Sequence, residues 1–344
     1  MKTMIDRRTL IASGLAAVAL GTSRQATAAG NLVVGTFGGD YGDALQTYVD
    51  QPFFASKGVD VQHDVATQDP RKAKLIAERA FRRGSMDVAA LSSVDTYTLS
   101  LMNIWELVSE ATVPRMSHVL KNLASPFSIP HIVTGMVVLY NPDKVKPAPK
   151  YFADMWDPKY RGRVGLSDIV PLYNFALAAL AFGGSMSNFD PGKPKLMELR
   201  SRDVRIYSSN EALATALKSE EIWMTPMYIS RAFQWRQDGV PVAKAVPEEG
   251  AILYISSEAV PRNAPNKENG LKYLNYLLDP TVQAAFSKKM GYAPTVDDAV
   301  LPAELAAEVS FTPEQQAKAQ VPDYDYFAKN TAQLMDWWNK DFKA

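Results

Sequence analysis

Few side chains in this 344-residue sequence stand in arrangements that do covalent chemistry. There is no cysteine, which excludes a thiol nucleophile, thiolate metal ligands, disulfides and a lipid-bearing Cys behind an export leader. His63, His118 and His131 are the only histidines, and none has the His-x-x-x-His or Glu-paired spacing of a zinc site. No Gly-x-Ser-x-Gly turn presents an activated serine. Thr36-Phe37-Gly38-Gly39-Asp40 is a Gly-rich turn, but it lacks the Lys and the spacing of a phosphate-cradling loop. These absences argue against an enzyme, a resident metal or any cofactor. What remains are groups suited to holding a small molecule. Arg231 can take a carboxylate through two parallel N–H bonds or form a surface ion pair, and Ser92 and Ser93 can contact a ligand or cap a helix.

The elements that would position these groups follow from pattern. Leu32 to Gly35 is a short buried strand that runs into the Gly-rich turn, and Tyr41, Ala44, Leu45, Tyr48 and Val49 recur at helical spacing behind it. That order sets backbone N–H groups at the carboxyl edge of a sheet, where open α/β folds bind ligands. Asp69 to Arg83 reads as a helix with a solvated basic face, and Met86 to Leu91 as a strand ending at Ser92-Ser93. Ile129 to Tyr140 is a long strand, Tyr173 to Phe182 a helix, and Ile222 to Met227 a strand followed by a helix from Tyr228 to Gly239. Ser208-x-x-Glu211 fits a capping box. Ala251 to Val260 is a strand of β-formers, Lys267 to Leu278 an amphipathic helix, and Pro280 opens a helix that ends at Gly291. Phe311 to Phe342 reads as a helical, aromatic-rich tail. No repeat of about 20–50 residues interrupts this alternation of short strands and helices, which argues for open α/β sheets.

One run carries more than local structure. Pro247-x-Glu249-Gly250, the strand with Tyr254, Pro261-x-x-Ala264-Pro265-Asn266, Tyr276-Leu277-Leu278-Asp279-Pro280 and Gly291-Tyr292 occur in fixed order. Together they resemble the periplasmic polyamine-binding proteins of ABC importers, and Asp154 to Val164 is similar to a second stretch of that family. The resemblance implies a two-lobed α/β periplasmic-binding-protein fold of type II, with open mixed sheets, flanking helices and two crossover strands as hinge. It implies a cleft wall at Thr36, Phe37, Asp40 and Tyr41, contact at Ser92 and Ser93, aromatic positions at Tyr228, Tyr254 and Tyr292, and a carboxylate at Asp168. The chain departs from the family where aromatic-x-Asp becomes Tyr254-Ile255-Ser256, and where Ile169 to Tyr173 carries no acid. Asp40 and Asp168 are then the only acids left to hold an amine, and Arg231 is a candidate for a carboxylate. The expected solute is a small amine such as putrescine or spermidine, with an amino acid, an opine or a small organic acid as the alternative.

The ends and the charge set the context. Asp6-Arg7-Arg8-Thr9-Leu10-Ile11 opens a twin-arginine-like export leader over residues 1–28, with an apolar stretch too short to span a bilayer and Ala26-Thr27-Ala28 before the cleavage point. A periplasmic location is expected. The full chain has 37 basic and 37 acidic residues; losing Lys2, Arg7, Arg8, Arg24 and Asp6 with the leader leaves 33 against 36. That balance gives no sign of nucleic-acid binding. The remaining length suits two domains: residues 29–136 plus 253–300 as lobe 1, and 137–252 plus 301–344 as lobe 2. The expected partners are a small-molecule solute and an ABC permease of the inner membrane, with no membrane insertion of the mature, monomeric chain.

Overall fold

The computed structural model describes residues 30–343, so the expected leader lies outside the described residues. The strands are β1 (Leu32–Thr36), β2 (Val61–Val65), β3 (Val88–Ser92), β4 (Ile129–Tyr140), β5 (Gly165–Ser167), β6 (Arg205–Tyr207), β7 (Met224–Tyr228), β8 (Ala243–Ala245) and β9 (Ile252–Ala259). The helices are α1 (Asp40–Leu45, continued by π-type turns to Phe54), α2 (Gln68–Glu78), α3 (Ser93–Ser100), α4 (Pro171–Ala181), α5 (Gly192–Ser201) and α6 (Asn210–Lys218). After them come α7 (Ile229–Gln237), α8 (Lys267–Leu277), α9 (Pro280–Met290), α10 (Ala303–Val309), α11 (Pro313–Lys318) and α12 (Tyr324–Trp337).

Seven strands form one curled sheet in the order β2-β1-β3-β9-β4-β7, with β8 also on β4. β1 pairs in parallel with β2 and β3, whereas β9 and β4 pair antiparallel, so the sheet is mixed. β5 and β6 form a separate parallel pair, joined to β7 by the bridge Val164–Met224. The two long strands run through both halves of the molecule. One hydrophobic core lies under β1, β3 and the first part of β4, built from residues such as Leu32, Val88, Ile129, Val133, Ile255 and Tyr273. A second gathers Met136, Val138, Phe152, Leu166, Phe175, Phe189, Phe327 and Trp338. Met136 and Ile252, facing each other across β4 and β9, belong to the second core, while Val133 and Ile255 belong to the first. The changeover takes place over three residues of each strand.

Local readings need three corrections. The basic segment from Asp69 is helical only to Glu78, and its solvated face excludes Arg71, whose side chain is buried beneath β1 and β3. The cap of α6 is Ser209, which accepts from Ala212 N at 3.0 Å, because the chain turns one residue later than Ser208. The tail is not one helix: Pro322 cannot continue the turns of α11, and Asp323 caps a new helix by accepting from Tyr326 N at 3.0 Å.

Gly250 sets the entry to β9. Its φ of +93° suits glycine, and a Cβ there would collide with the Lys318 carbonyl of the tail. Gly250→Ala is therefore expected to lower unfolding free energy by about 1–3 kcal/mol, measured by chemical denaturation.

Candidate functional site

Where the halves meet, tyrosines from separate elements converge. Tyr228, at the end of β7, and Tyr254, on β9, have ring centroids 5.0 Å apart. Tyr173 of α4 stands edge-on to Tyr228 at 5.9 Å and tilted against Tyr254 at 6.3 Å. Tyr292, in the loop after α9, lies near Ser230 at the start of α7, and the Ser230 hydroxyl partly offsets the rise that burial causes in the Tyr292 pKa. Burial raises the pKa of Tyr228, Tyr254 and Tyr292, so all three remain neutral phenols. The Tyr228 hydroxyl is buried with no hydrogen-bond partner among the described residues. On the far side Tyr324 of α12 hydrogen-bonds Ser93, and its ring lies 5.9 Å from that of Tyr97.

Arg231, one turn into α7, is the cation of this cluster. Its charge opposes the upward pKa shifts of Tyr228, Tyr254 and Tyr292, which places it beside all three. Its Nη1 donates to Gln234 Oε1 at 2.8 Å, and no carboxylate among the described residues pairs with it. Away from the tyrosines, none of which lines it, Arg231 also borders a cavity of about 480 Å³ together with Asp40 and Lys289 from the first-core side and Glu211, Lys218, Gln234 and Asp238 from the second. Asp40 Oδ1 is 3.2 Å from Lys289 Nζ, and Lys218 Nζ donates to the Asp238 carbonyl at 2.9 Å. Gln234 Nε2 donates to Met290 O at 3.0 Å, a direct link between the halves.

Other residues picked out by sequence sit elsewhere. Tyr41 turns into the first core, 5 % exposed, because its hydroxyl donates to Glu258 Oε1 at 3.0 Å and lies 2.7 Å from His131 Nδ1. Its ring meets Phe37 edge-on at 5.4 Å, and Phe37 remains half-buried at the wall. Thr36 is fully buried at the end of β1. Asp168 is claimed by the tail, accepting from Trp338 Nε1 at 2.7 Å and from Lys343 Nζ at 2.8 Å. Ser92 caps α3, accepting from Asp95 N at 3.1 Å, while the Ser93 hydroxyl lies 2.7 Å from that of Ser257. Ser256 is fully buried, its hydroxyl directed at the Leu91 carbonyl.

Several groups escaped sequence reasoning. Tyr173 and Tyr324 join the tyrosines only through tertiary packing. Glu258 is the one charged residue of β9, and a carboxylate within a strand of otherwise uncharged residues was the available signal. Asp95, near Tyr173 and Tyr254, is neutralised by Lys72 Nζ at 2.8 Å. A His/Asp group, His118, Asp297 and Asp298, does come together with ligand atoms within 4.8 Å, residues too far apart in sequence for spacing to reveal. Arg115 already holds Asp298, with Nη2 at 2.7 and 2.8 Å from its oxygens.

Two α/β halves hinged on shared strands, with aromatic and ionic side chains meeting between them, define a cleft-binding protein. Residues 49–313 match the family described as bacterial extracellular solute-binding protein, and the chain belongs to that family. The spermidine/putrescine-binding periplasmic protein of Escherichia coli K12 is 31% identical over 196 residues, which are 55% of this chain; the chain thus spans about half, 53%, of that relative's length. The gamma-aminobutyric acid-binding protein of Pseudomonas aeruginosa PAO1 is 22% identical over 322 residues, 90% of each chain. The solved structure of the Atu4243 GABA receptor shares the fold, with a TM-score of 0.79 and 20% identity over 90% of this chain and 96% of that one. These relatives are named for the small solutes that they bind. Among the described residues no helix is long and apolar enough to cross a membrane.

The placement of Asp168 has a consequence for stability. Asp168→Ala leaves the Trp338 and Lys343 donors without their acceptor, and is expected to lower unfolding free energy by about 1–3 kcal/mol while leaving the tyrosine cluster assembled. Denaturant unfolding, with tyrosine fluorescence of the folded state as control, measures both.

Proposed function

We propose that the protein is the exported, periplasmic solute-binding component of an ABC importer, and that its solute is a small zwitterion or carboxylate: an amino acid, a γ-amino acid such as γ-aminobutyrate, or an opine. One observation carries the choice of solute. Asp40, Asp95 and Asp168 each have a cationic partner, whereas Arg231 has only an amide oxygen. A buried anionic group of the solute would complete Arg231, and the tyrosine faces would cover its methylenes. Glu211 and Asp238 line the same cavity with no ion-pair partner among the described residues, so an ammonium at the other end of the solute has acids within the site. The relative named for γ-aminobutyrate, matched along most of both chains, fits this chemistry. The same two acids, with the relatives named for spermidine and putrescine, favour a diamine as the second reading.

Residues 29–136 with 253–300 act as one lobe and 137–252 with 301–344 as the other. Solute contacts both lobes only when they are together, so binding shifts the population toward closure. The closed form is the one presented to the permease, and the Gln234–Met290 bond between the halves supports this reading.

Calorimetry of the mature chain with γ-aminobutyrate, other amino acids, small acids and putrescine tests the solute class. Arg231→Gln is expected to weaken a carboxylate-bearing solute by about 1.5–3 kcal/mol and to leave putrescine binding unweakened; the reverse pattern establishes the diamine. Tyr254→Ala is expected to weaken either by about 2 kcal/mol or more. In small-angle scattering, saturating solute is expected to reduce the radius of gyration, and an unchanged radius refutes closure.

A further inference from the structure

Behind the cleft wall lies a buried polar cluster that solute binding does not use. Glu258 is 1 % exposed, and its Oε1 accepts from Tyr41 while Oε2 has no partner among the described residues. His131, 1 % exposed on β4, has Nδ1 3.8 Å from Glu258 Oε1, and its Nε2 is likewise unpartnered. Arg71 is the nearest permanent cation, but it is turned to backbone: Nη1 donates to Ala90 O at 2.6 Å, and Nη2 to Ala66 O at 2.6 Å and to Thr36 O. Its guanidinium also stands 5.0 Å from the centre of the Phe37 ring. Arg71 therefore ties the ends of β1 and β3 to the turn before α2, and Tyr41 ties α1 to β9.

We propose that Glu258 is a positioning residue carried as a neutral acid: protonated, it holds Tyr41 and the α1 wall of the cleft in place, and its deprotonation loosens that wall. An ionised Glu258 would be a buried anion with one hydrogen bond, and relief would require drawing Arg71 off its three carbonyls or admitting water. Glu258 Oε2, buried with no donor among the described residues, is where the acid's proton sits, while Oε1 goes on accepting from Tyr41.

The groups facing Glu258 agree. Burial pushes its pKa from 4.5 up to about 8, opposed by the Tyr41 hydrogen bond and by Arg71. Burial holds His131 neutral, down to about 3. Tyr41 of α1, Tyr254 of its own strand and Tyr273 of α8 stay protonated, and Tyr273 donates to Asp50 at 2.9 Å. Because the folded pKa is raised, the stability tied to this proton is complete below about pH 4.5 and is lost as pH rises through about 8.

Thermal unfolding and hydrogen exchange of the mature chain, compared with Glu258→Gln between about pH 5 and about pH 9.5, test this. The melting temperature of Glu258→Gln minus that of wild type is expected to climb between about pH 5 and about pH 8 and then level off. Amides of residues 36–45 are expected to exchange faster in wild type than in Glu258→Gln only on the alkaline side. A constant gap and equal exchange overturn the proposal. Tyr41→Phe removes a bond that favours the ionised acid, so the infrared band of a protonated carboxyl should persist to higher pH than in wild type. Loss of that band together with the ordinary carboxylates near pH 4 also overturns it. The consequence for solute rests on the reading of the cleft given above. Affinity for γ-aminobutyrate should fall by up to about tenfold per pH unit above about pH 8 in wild type and not in Glu258→Gln. Absence of γ-aminobutyrate binding at every pH counts against the solute reading alone, since unfolding and exchange decide the role of Glu258 without it.

Discussion

The antiparallel pairing of β4 with β9 is the constraint on which the rest of the molecule depends. Its ladder runs from Ile129–Glu258 to Met136–Ile252 and serves as wall to one core at one end and to the other core at the opposite end. A slip of one residue would turn every side chain to the wrong face, so two cores lock a single register. That register sets Tyr254 opposite Thr134, whose hydroxyl accepts from Ser230 N at the start of α7. The separate pairing of β9 with β3 sets Ser256 opposite Ser92, at the cap of α3.

The electrostatics follow a matching rule imposed by desolvation. A charge removed from water requires a partner, and the part-buried acids have one: Asp95 with Lys72, Asp168 with Lys343 and the Trp338 indole. Arg231 has only the Gln234 amide oxygen, and its charge acts on Tyr228, Tyr254 and Tyr292. Deeper in, matching is achieved by chemistry of a different kind. Arg71 is satisfied by carbonyl dipoles, and burial raises the pKa of Glu258. Beneath the ion pairs of the surface lies a buried layer held by hydrogen bonds to backbone carbonyls and to Tyr41.

Pattern and composition alone settled a good deal. Tyr254 could be assigned to a strand because β-formers between Pro and Gly signals leave few other solutions. The sequence reads Tyr228 as opening a helix, whereas it is the last residue of its strand. The order of motifs from Pro247 to Tyr292 pointed to a two-halved solute binder, and the family match bears that out. These are local properties, decided by residue type and near neighbours.

What only the tertiary structure decided was the use made of each polar group. Nothing within ten residues of Asp168 announces that Trp338 and Lys343 will claim it, and nothing near Tyr41 announces Glu258 and His131. Tyr173 and Tyr324 reach the cleft because α4 and α12 pack there, and Ser256 leaves it because Leu91 covers its hydroxyl. Side-chain type and strand periodicity are written along the chain, but hydrogen bonds and desolvation act between groups far apart in it, 217 residues for Tyr41 and Glu258. Whether a carboxylate is a ligand, a staple or a neutral acid depends on those distant neighbours, and folding is what supplies them.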